Sequence, residues 1–314
     1  TQIEVDDIWP SQHVATNICA NNNPYCVRDS IRYLDFTGNG LADMCYWSRG
    51  GGFQCVKSTG NGFDTQNQVN TGICSVNDPE CSSRASRRTF NYVDMNNDNK
   101  VDIVYRAESG INIHLSNGNG FDAPIRTGLV PIPFGCGIVD SDYVMDFDVP
   151  GCSEEYVFIY YPDINGDGRI DICYRDDGPA GITCYLGGEK VGEFSLFVTS
   201  SICGSQDYSC FNVSSWDSIR FIDMNGDGRS DIVYRNNTDG ISIHYFNGTG
   251  FDSRKGSGIC RGQDNCNAQR IYYVNITDDN LVDLCVLNSG GLRCYPNLLT
   301  PVYVQTILVV IRTL

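Results

Sequence analysis

The sequence is poor in several features that would point to common protein classes. It contains 3 His, and its 22 Lys and Arg residues are outnumbered by 38 Asp and Glu, which gives a formal net charge of -16. Such a chain repels nucleic acid phosphates and anionic membrane surfaces, so we expect no nucleic acid partner. No apolar stretch reaches the roughly 20 residues that a membrane-spanning helix requires, so we expect no membrane span. Helical periodicity is also missing, which leaves an all-β chain.

An acidic nine-residue loop between two apolar strands occurs five times in the sequence. We number the loop residues from position 1 to position 9. In chain order the loops are loop 1 (35–43), loop 2 (94–102), loop 3 (163–171), loop 4 (223–231) and loop 5 (275–283). Four short strands divided by turn signals are predicted around each loop. A four-strand unit that repeats every ~60 residues is typical of a β-propeller blade, so the sequence predicts one domain, 1–314, with five four-stranded blades.

The repeat also predicts the bounds of the blades and of two terminal strands. The blades are expected at 30–74, 89–130, 156–203, 217–260 and 270–296, and the strands of blade 1 at 31–36, 42–48, 52–57 and 63–73. Residues 8–19 resemble the fourth strand of blade 1 and are predicted to close the last blade. Residues 300–314 are apolar and are predicted to form an extra strand, or one donated to another copy of the chain. Which terminal strand closes the last blade stays open.

Sixteen cysteines, an even number, accompany four potential glycosylation sequons. The combination predicts an oxidising environment and therefore an extracellular protein, secreted or held at the cell surface. The sequons place potential attached glycans at Asn212, Asn236, Asn247 and Asn275.

The positions of the cysteines predict which of them are paired. In blades 1, 3 and 5 a Cys in the second strand is matched by a Cys in the third, whereas in blades 2 and 4 both positions change together to Val and Ile. Such joint replacement indicates contact across neighbouring strands. The predicted bridges are Cys45–Cys55, Cys173–Cys184 and Cys285–Cys294, with a second series Cys19–Cys26, Cys74–Cys81, Cys136–Cys152, Cys203–Cys210 and Cys260–Cys266. Metal-binding thiolates are the less favoured alternative, because no paired C-x-x-C motif occurs.

The loops have the composition of structural Ca²⁺ sites. Positions 1, 3, 5 and 9 supply side-chain oxygens and position 7 a backbone carbonyl, which are the hard ligands that Ca²⁺ prefers. The candidate ligands are Asp35, Thr37, Asn39 and Asp43 in loop 1; Asp94, Asn96, Asp98, Lys100 and Asp102 in loop 2; Asp163, Asn165, Asp167, Arg169 and Asp171 in loop 3; and Asp223, Asn225, Asp227, Arg229 and Asp231 in loop 4. Loop 5 has Asn275 and Thr277 as substitutes, so three to five sites are expected. The alternative is an Asx-rich turn without metal.

The loops of type Asp-x-Asn-Gly-Asp-Gly-x-x-Asp, together with the Gly-Phe-Asp triplets at 62–64, 120–122 and 250–252, resemble FG-GAP or VCBS repeats. Those repeats form the calcium-binding blades of integrin α-chain propellers and of fungal sugar-binding propellers. The resemblance implies an extracellular propeller of seven blades, whereas this sequence contains five units.

Residues suited to catalysis are scarce. His114 and His244 occupy a strand position that holds Val or Tyr in the other blades, which indicates interchangeable strand residues, and the sequence predicts no enzyme. A Tyr followed by Trp or Arg recurs after the closing Asp, at Tyr46, Tyr105, Tyr174 and Tyr234. These side chains suit either sugar contacts or packing between blades with the Arg paired to a loop carboxylate.

The sequence therefore favours a non-enzymatic, calcium-stabilised binding or adhesion module. Its expected partners are glycans or extracellular proteins, with glycans as the favoured ligand class. The alternative hypothesis is a structural subunit of an extracellular filament or coat, in which copies of the chain assemble by donating terminal strands.

Overall fold

The computed structural model describes residues 30–48, 52–75, 89–107, 110–129, 159–175, 179–204, 207, 218–236, 238–261, 271–277, 279–288 and 291–297. The chain divides into two compact units, Thr1–Glu154 and Glu155–Leu314, and each unit is described by itself. The expected strands at 8–19 and 300–314 lie outside the described residues. They stay predictions, as does the single domain over 1–314.

The first unit contains two antiparallel four-stranded sheets, in which each strand pairs with the next one along the chain. Blade 1 consists of β1 (Arg32–Leu34), β2 (Asp43–Ser48), β3 (Gly52–Val56) and β4 (Val69–Asn70). Blade 2 consists of β5 (Asn91–Val93), β6 (Asp102–Ala107), β7 (Gly110–His114) and β8 (Ile125–Arg126).

The second unit contains three sheets of the same kind. Blade 3 consists of β9 (Ile159–Tyr160), β10 (Ile172–Arg175), β11 (Ile182–Gly187) and β12 (Phe194–Thr199). Blade 4 consists of β13 (Arg220–Ile222), β14 (Asp231–Asn236), β15 (Gly240–His244) and β16 (Lys255–Gly256). Blade 5 has three strands among the described residues, β17 (Ile271–Val274), β18 (Asp283–Asn288) and β19 (Gly291–Tyr295).

The predicted fold class, an all-β propeller of five blades, is confirmed. The fourth strand of blade 1 is much shorter than the predicted 63–73, since β4 covers only Val69–Asn70. Asp64 causes the difference, because its carboxylate accepts hydrogen bonds from the backbone amides of Gln66 and Asn67 and folds the chain into an Asx turn. The described part of the chain holds no helix with the length and apolar character needed to cross a membrane.

The core lies between consecutive blades within each unit. Side chains alternate between the two faces of a strand, so Ile103 and Tyr105 of β6 point to the face opposite Val104. In the first unit this Ile–Tyr face packs against the Cys45–Cys55 face of blade 1. The second unit repeats the arrangement, with Cys173 and Cys184 of blade 3 against the Ile–Tyr face of blade 4. Both faces of a blade can therefore be apolar.

Three predicted disulfides are confirmed. Cys45–Cys55, Cys173–Cys184 and Cys285–Cys294 each join directly paired residues of the second and third strands. Cys74, Cys203 and Cys260 are also disulfide-bonded, but their predicted partners lie outside the described residues. The same holds for both members of Cys19–Cys26 and Cys136–Cys152, so those pairings stay predictions.

Candidate cation-binding loops and ligand cleft

The carboxylate at position 1 organises loops 1 to 4 by accepting backbone hydrogen bonds, and position 1 of loop 5 is Asn275. In loop 4, Asp223 accepts from the amides of Gly226, Asp227 and Gly228 at 2.7, 3.2 and 2.8 Å. Asp163 and Asp35 make the same contacts at positions 4, 5 and 6 of their loops. Position 6 is in the left-handed region, with φ between 63° and 83° in all five loops, which explains why Gly or Asn stands there. The chain therefore wraps around the first carboxylate.

Positions 3, 5 and 7 form a second set of contacts in loops 2, 3 and 4. In loop 4 the backbone amide of Arg229 donates to Asp227 Oδ1 at 3.0 Å, and the side-chain amide of Asn225 donates to Asp227 Oδ2 at 3.0 Å. The guanidinium of Arg229 also contacts Asp227 Oδ2, at 2.7 Å. Both oxygens of the position-5 carboxylate are thus engaged within the loop.

The Asp at position 9 is fully buried in all five loops: Asp43, Asp102, Asp171, Asp231 and Asp283 each have 0% exposure. In blade 4, one oxygen of Asp231 accepts from the backbone amide of Met224 at 2.9 Å and the other from that of Phe246 at 2.8 Å. The equivalent pair of bonds recurs in every blade. This side chain ties the loop to the residues after the third strand. This structural role requires no metal. It was not predicted from the sequence, where position 9 was interpreted only as a metal ligand.

Burial raises the pKa of Asp102, Asp171 and Asp231 to about 6, and the carboxylates at positions 1 and 5 of the same loop act in the same direction. The two backbone hydrogen bonds oppose this shift without cancelling it. Asp35 in loop 1 behaves differently. Burial also acts to raise its pKa, but the amides of Gly40, Asn39 and Gly38 together hold it below the usual value.

The donor types in loops 2, 3 and 4 fit Ca²⁺. Each of these loops contains three carboxylates, which repel one another. Carboxylate, amide and carbonyl oxygens are the ligands that Ca²⁺ takes. Within the described ranges, no three His, Cys, Asp or Glu side chains already meet as a metal cluster. A bound cation would therefore need the position-5 carboxylate to leave its partner at position 7, and the position-3 amide to present its oxygen. Calcium binding stays a prediction.

Loops 1 and 5 lack part of this arrangement. Position 7 is Leu41 in loop 1 and Leu281 in loop 5, and neither can pair with a carboxylate. Thr277 in loop 5 donates through its hydroxyl to the closing Asp283 at 3.2 Å, where loops 2 to 4 have an Asn. These two loops have two carboxylates rather than three at positions 1, 3, 5 and 9, and neither has a positively charged side chain at position 7.

Consecutive loops pack on one another within each unit, and the residue at position 4 makes this contact. A Cβ atom on Gly166 of loop 3 would lie 2.6 Å from the carbonyl oxygen of Gly228 in loop 4. A Cβ atom on Gly38 of loop 1 would lie 2.8 Å from Cγ of Lys100 in loop 2. Position 4 is therefore restricted both by its positive φ and by the neighbouring loop.

A cleft of about 310 Å³ lies between blade 2 and the end of blade 1 in the first unit. Its walls combine aromatic, amide, imidazole, carboxylate and guanidinium groups, contributed by Tyr105, Asn112, His114, Phe121, Asp122 and Arg126. Blade 1 closes one side with Thr71, Gly72 and Ile73.

The Tyr105 and His114 rings stack in this cleft, with centroids 5.8 Å apart and 12° between the ring planes. His114 Nδ1 lies 2.9 Å from the carbonyl oxygen of Asp122, which can only accept, so Nδ1 carries a proton and donates to it. Asn112 is 1% exposed and its amide nitrogen lies 3.4 Å from the Tyr105 hydroxyl. Tyr105, at 1% exposure, and Asn112 and His114 lie beneath the cleft surface, whereas Phe121 is half-buried and Asp122 and Arg126 are exposed. The accessible groups of the cleft are therefore an aromatic ring, a carboxylate and a guanidinium.

Blade 4 repeats the stack with different neighbours. Tyr234 and His244 have ring centroids 5.9 Å apart, and His244 Nδ1 lies 2.8 Å from the Asp252 carbonyl oxygen. Burial lowers the pKa of His244. Ser242 replaces the Asn of blade 2 and Gly256 replaces the Arg. The His residues are thus members of a repeated Tyr–His stack, a signal that the sequence contained in the joint occurrence of the two residue types.

Arg175 was expected, under one interpretation, to pair with a loop carboxylate. Its Nε donates to the backbone carbonyl of Cys203 at 3.1 Å, and the side chain is 7% exposed. The side chain therefore fixes the chain at a disulfide-bonded residue of its own blade.

The sequons differ in accessibility. Asn236 has 0% exposure and its amide nitrogen donates to the Ser242 hydroxyl at 2.5 Å, whereas an attached glycan requires an exposed amide. Asn247 and Asn275 are exposed. Asn212 lies outside the described residues, and glycosylation of the chain stays a prediction.

Solved structures with a similar fold include a lectin of Agrocybe aegerita, determined for its specific recognition of non-reducing terminal N-acetylglucosamine. It has a TM-score of 0.60 and 17% identity, and the match covers 87% of this chain and 63% of the lectin. The chain thus spans less than two thirds of the lectin. The biofilm matrix protein Bap1 of V. cholerae has a TM-score of 0.34 and 15% identity, covering 84% of this chain and 36% of Bap1. The Tc holotoxin pore of Photorhabdus luminescens has a TM-score of 0.37 and 14% identity, covering 85% of this chain and 14% of that chain.

The comparison with curated proteins finds no match. The family of FG-GAP-like repeats matches residues 163–234, which run from the start of loop 3 to Tyr234 in β14. The chain is therefore a five-bladed β-propeller that contains an FG-GAP-like repeat.

Proposed function

We propose that the protein is an extracellular, non-enzymatic binding module that is stabilised by Ca²⁺ and binds glycans through the cleft of blade 2. The observation that carries the proposal is the composition of this cleft. Pyranose rings offer apolar C–H faces and several hydroxyls, and the cleft offers the half-buried Phe121 ring beside the exposed Asp122 carboxylate and Arg126 guanidinium.

The polar groups of the cleft are held in place before a ligand arrives. The backbone contact of His114 fixes its tautomer, and the Tyr105 ring holds the imidazole plane. Preorganised groups lose little entropy on binding, which suits the recognition of small, well-hydrated ligands. The fold shared with the A. aegerita lectin adds support of a weaker kind, because fold alone does not imply a ligand.

The disulfides support an extracellular location, since such bridges persist in oxidising compartments. Calcium binding is supported by the donor types of loops 2, 3 and 4 and by the repulsion among their carboxylates. Each of these loops has three carboxylates and one positively charged side chain, so a bound Ca²⁺ would balance the remaining negative charge and hold the loop oxygens together.

Glycan binding is tested by screening the intact chain on a glycan array and measuring the positive ligands by calorimetry. The matched variant is Asn112→Ser with Arg126→Gly, which gives blade 2 the residues that blade 4 already has. We expect at least a tenfold loss of affinity, because the exposed Arg126 guanidinium no longer contacts the sugar and the buried Asn112 amide no longer contacts Tyr105 beneath it. Lys255→Met on the exposed strand β16 serves as the charge control. Unchanged affinity in the double variant would place the ligand elsewhere, and no ligand at all would reject the proposal.

Calcium binding is tested by titrating the chelator-treated chain. We expect saturable binding of Ca²⁺ and a higher melting temperature with Ca²⁺ than with chelator. Asp223→Asn with Asp227→Asn removes two ligand charges from loop 4 and should lower the number of bound ions by one. An unchanged melting temperature and no binding heat would show that the loops are Asx turns without metal.

A further inference from the structure

The five loops fall into two classes by the residue at position 7. Loops 2, 3 and 4 have Lys100, Arg169 and Arg229, whereas loops 1 and 5 have Leu. In each loop of the first class the positive group contacts the carboxylate two residues before it: Lys100 with Asp98 at 2.6 Å, Arg229 with Asp227 at 2.7 Å, and Arg169 with Asp167.

These ion pairs use the oxygen that a bound cation would need. The Oδ1 atom of the position-5 carboxylate already accepts a backbone amide, so Oδ2 remains as its ligand atom. The position-3 amide and the position-7 side chain both direct N–H groups at that same Oδ2. The positive side chain therefore neutralises, within the loop, the charge that would otherwise attract a divalent ion.

We infer that the Lys or Arg at position 7 is an affinity-determining residue for the divalent cation, because it holds the position-5 carboxylate when no cation is present and must release it for a cation to bind. The inference rests on the calcium binding proposed above. It also explains a correlation within the chain. The positively charged side chain occurs in the loops that have carboxylates at positions 1, 5 and 9, and Leu occupies position 7 in loops 1 and 5, where position 1 or position 5 is not a carboxylate.

The inference makes two opposite predictions for one variant. Arg169→Met with Arg229→Met should strengthen Ca²⁺ binding to the second unit by about tenfold at low ionic strength, because two like-charged groups leave the neighbourhood of the ion. The gain should shrink in physiological salt, since the interaction is partly exposed and screened. In chelator the same variant should melt at a lower temperature than the unchanged chain, because the carboxylates lose their neutralising partner.

The test is calorimetric titration of the intact chain with CaCl₂ at two ionic strengths, together with thermal melts in chelator. Arg169→Lys with Arg229→Lys keeps the charge and should bind Ca²⁺ like the unchanged chain. Lys190→Met with Lys255→Met removes the same net charge from other exposed positions and should change affinity by less than twofold.

The outcomes separate this inference from calcium binding itself. Suppose that the unchanged chain binds Ca²⁺ and that the variant Arg169→Met with Arg229→Met binds it no more tightly than the variant Lys190→Met with Lys255→Met does. The position-7 residue then has no special role and the inference is wrong. If the unchanged chain shows no Ca²⁺ binding and its melt in chelator is unaffected by the Met substitutions, both the inference and the calcium proposal fail. Tighter binding with a lower melting temperature in chelator supports both.

Discussion

Blades 1 and 2 have the same strand order and the same buried closing Asp, yet they are stabilised differently. Blade 1 links β2 to β3 through Cys45–Cys55, and its acidic loop has two carboxylates and Leu41. Blade 2 has the apolar pair Val104 and Ile113 at the equivalent positions, and its loop has three carboxylates and Lys100. A covalent bridge and a full acidic loop therefore act as alternatives in neighbouring blades.

The second unit extends the comparison. Blade 3 has both a disulfide between its second and third strands and a loop with carboxylates at positions 1, 5 and 9; blade 4 has only the loop of this kind, and blade 5 has only the disulfide between these strands. Each of the five blades thus has at least one of the two devices. A four-stranded sheet has a small core of its own, so we propose that each blade is supported by a disulfide, by Ca²⁺ bound to its loop, or by both.

The largest effect is expected from replacing the buried Asp at position 9, which both blades share. Asp102→Ala in blade 2 would leave the buried backbone amides of Met95 and Ser116 without acceptors, at a cost of about 3 kcal/mol in the free energy of unfolding. Asp43→Ala in blade 1 should cost a similar amount. Urea denaturation followed by fluorescence measures both, and a loss below about 0.5 kcal/mol would show that the buried carboxylate is not a common determinant.

Replacing the disulfide of blade 1 by the apolar pair of blade 2 tests how much Cys45–Cys55 contributes to stability. Cys45→Val with Cys55→Ile should lower the free energy of unfolding by about 2 kcal/mol, because the unfolded chain regains the entropy of the open loop. The Val–Ile pair keeps the site packed, so Cys45→Ala with Cys55→Ala should cost more. Equal losses in the two variants, measured under non-reducing conditions, would show that packing at this site contributes nothing.

The pH dependence of the melting temperature tests the contribution of loops 2, 3 and 4. With chelator present, the pKa of about 6 for Asp102, Asp171 and Asp231 lies above the ordinary value of 3.8. The native state then binds more protons than the unfolded chain, so the stabilisation by these protons is present at low pH and is lost as the pH rises through 6. We expect the melting temperature in chelator to be a few degrees lower at pH 7 than at pH 5. Saturating Ca²⁺ should reverse this order, because it binds the ionised form. The same slope with and without Ca²⁺ would contradict the prediction.

The smallest effect is expected from giving blade 2 a disulfide between its second and third strands, as in blade 1. Val104→Cys with Ile113→Cys places two thiols at directly paired positions, equivalent to Cys45 and Cys55. The bridge should add about 1 kcal/mol, since engineered disulfides often deliver less than natural ones. Thiol titration confirms that it forms, and melts with and without reductant measure its contribution. A bridge that forms without raising the melting temperature would show that loop 2 already provides the stabilisation.

The repeat could be predicted because its features depend on the residue types of short local segments. The acidic loops, the turn glycines and the paired cysteines recur at matched positions, and each has a strong local preference. The joint change of Cys45 and Cys55 to Val104 and Ile113 even gave the strand register, since residues that are replaced together must touch.

The candidate site was predicted only in part. The sequence identified the loop carboxylates, but it gave position 9 a single role as a ligand, whereas Asp231 accepts two backbone bonds in a site without exposure to solvent. It identified His114 as a strand residue at the position of Val56 and Tyr185, which the register confirms, but it did not reveal that the ring stacks on Tyr105 beside a cleft. Both omissions have one cause. Burial and contacts between strands depend on distances that residue spacing does not contain.

The sequence by itself determined the all-β class, the five repeats and the disulfides within blades, because these depend on alternation, turn chemistry and pairs of adjacent strands. Only the tertiary structure decided which carboxylates are buried, how Gly166 meets the next loop and where blade 2 leaves a cleft against blade 1. Those features arise where segments far apart in the chain pack together, and packing depends on three-dimensional shape more than on local propensity.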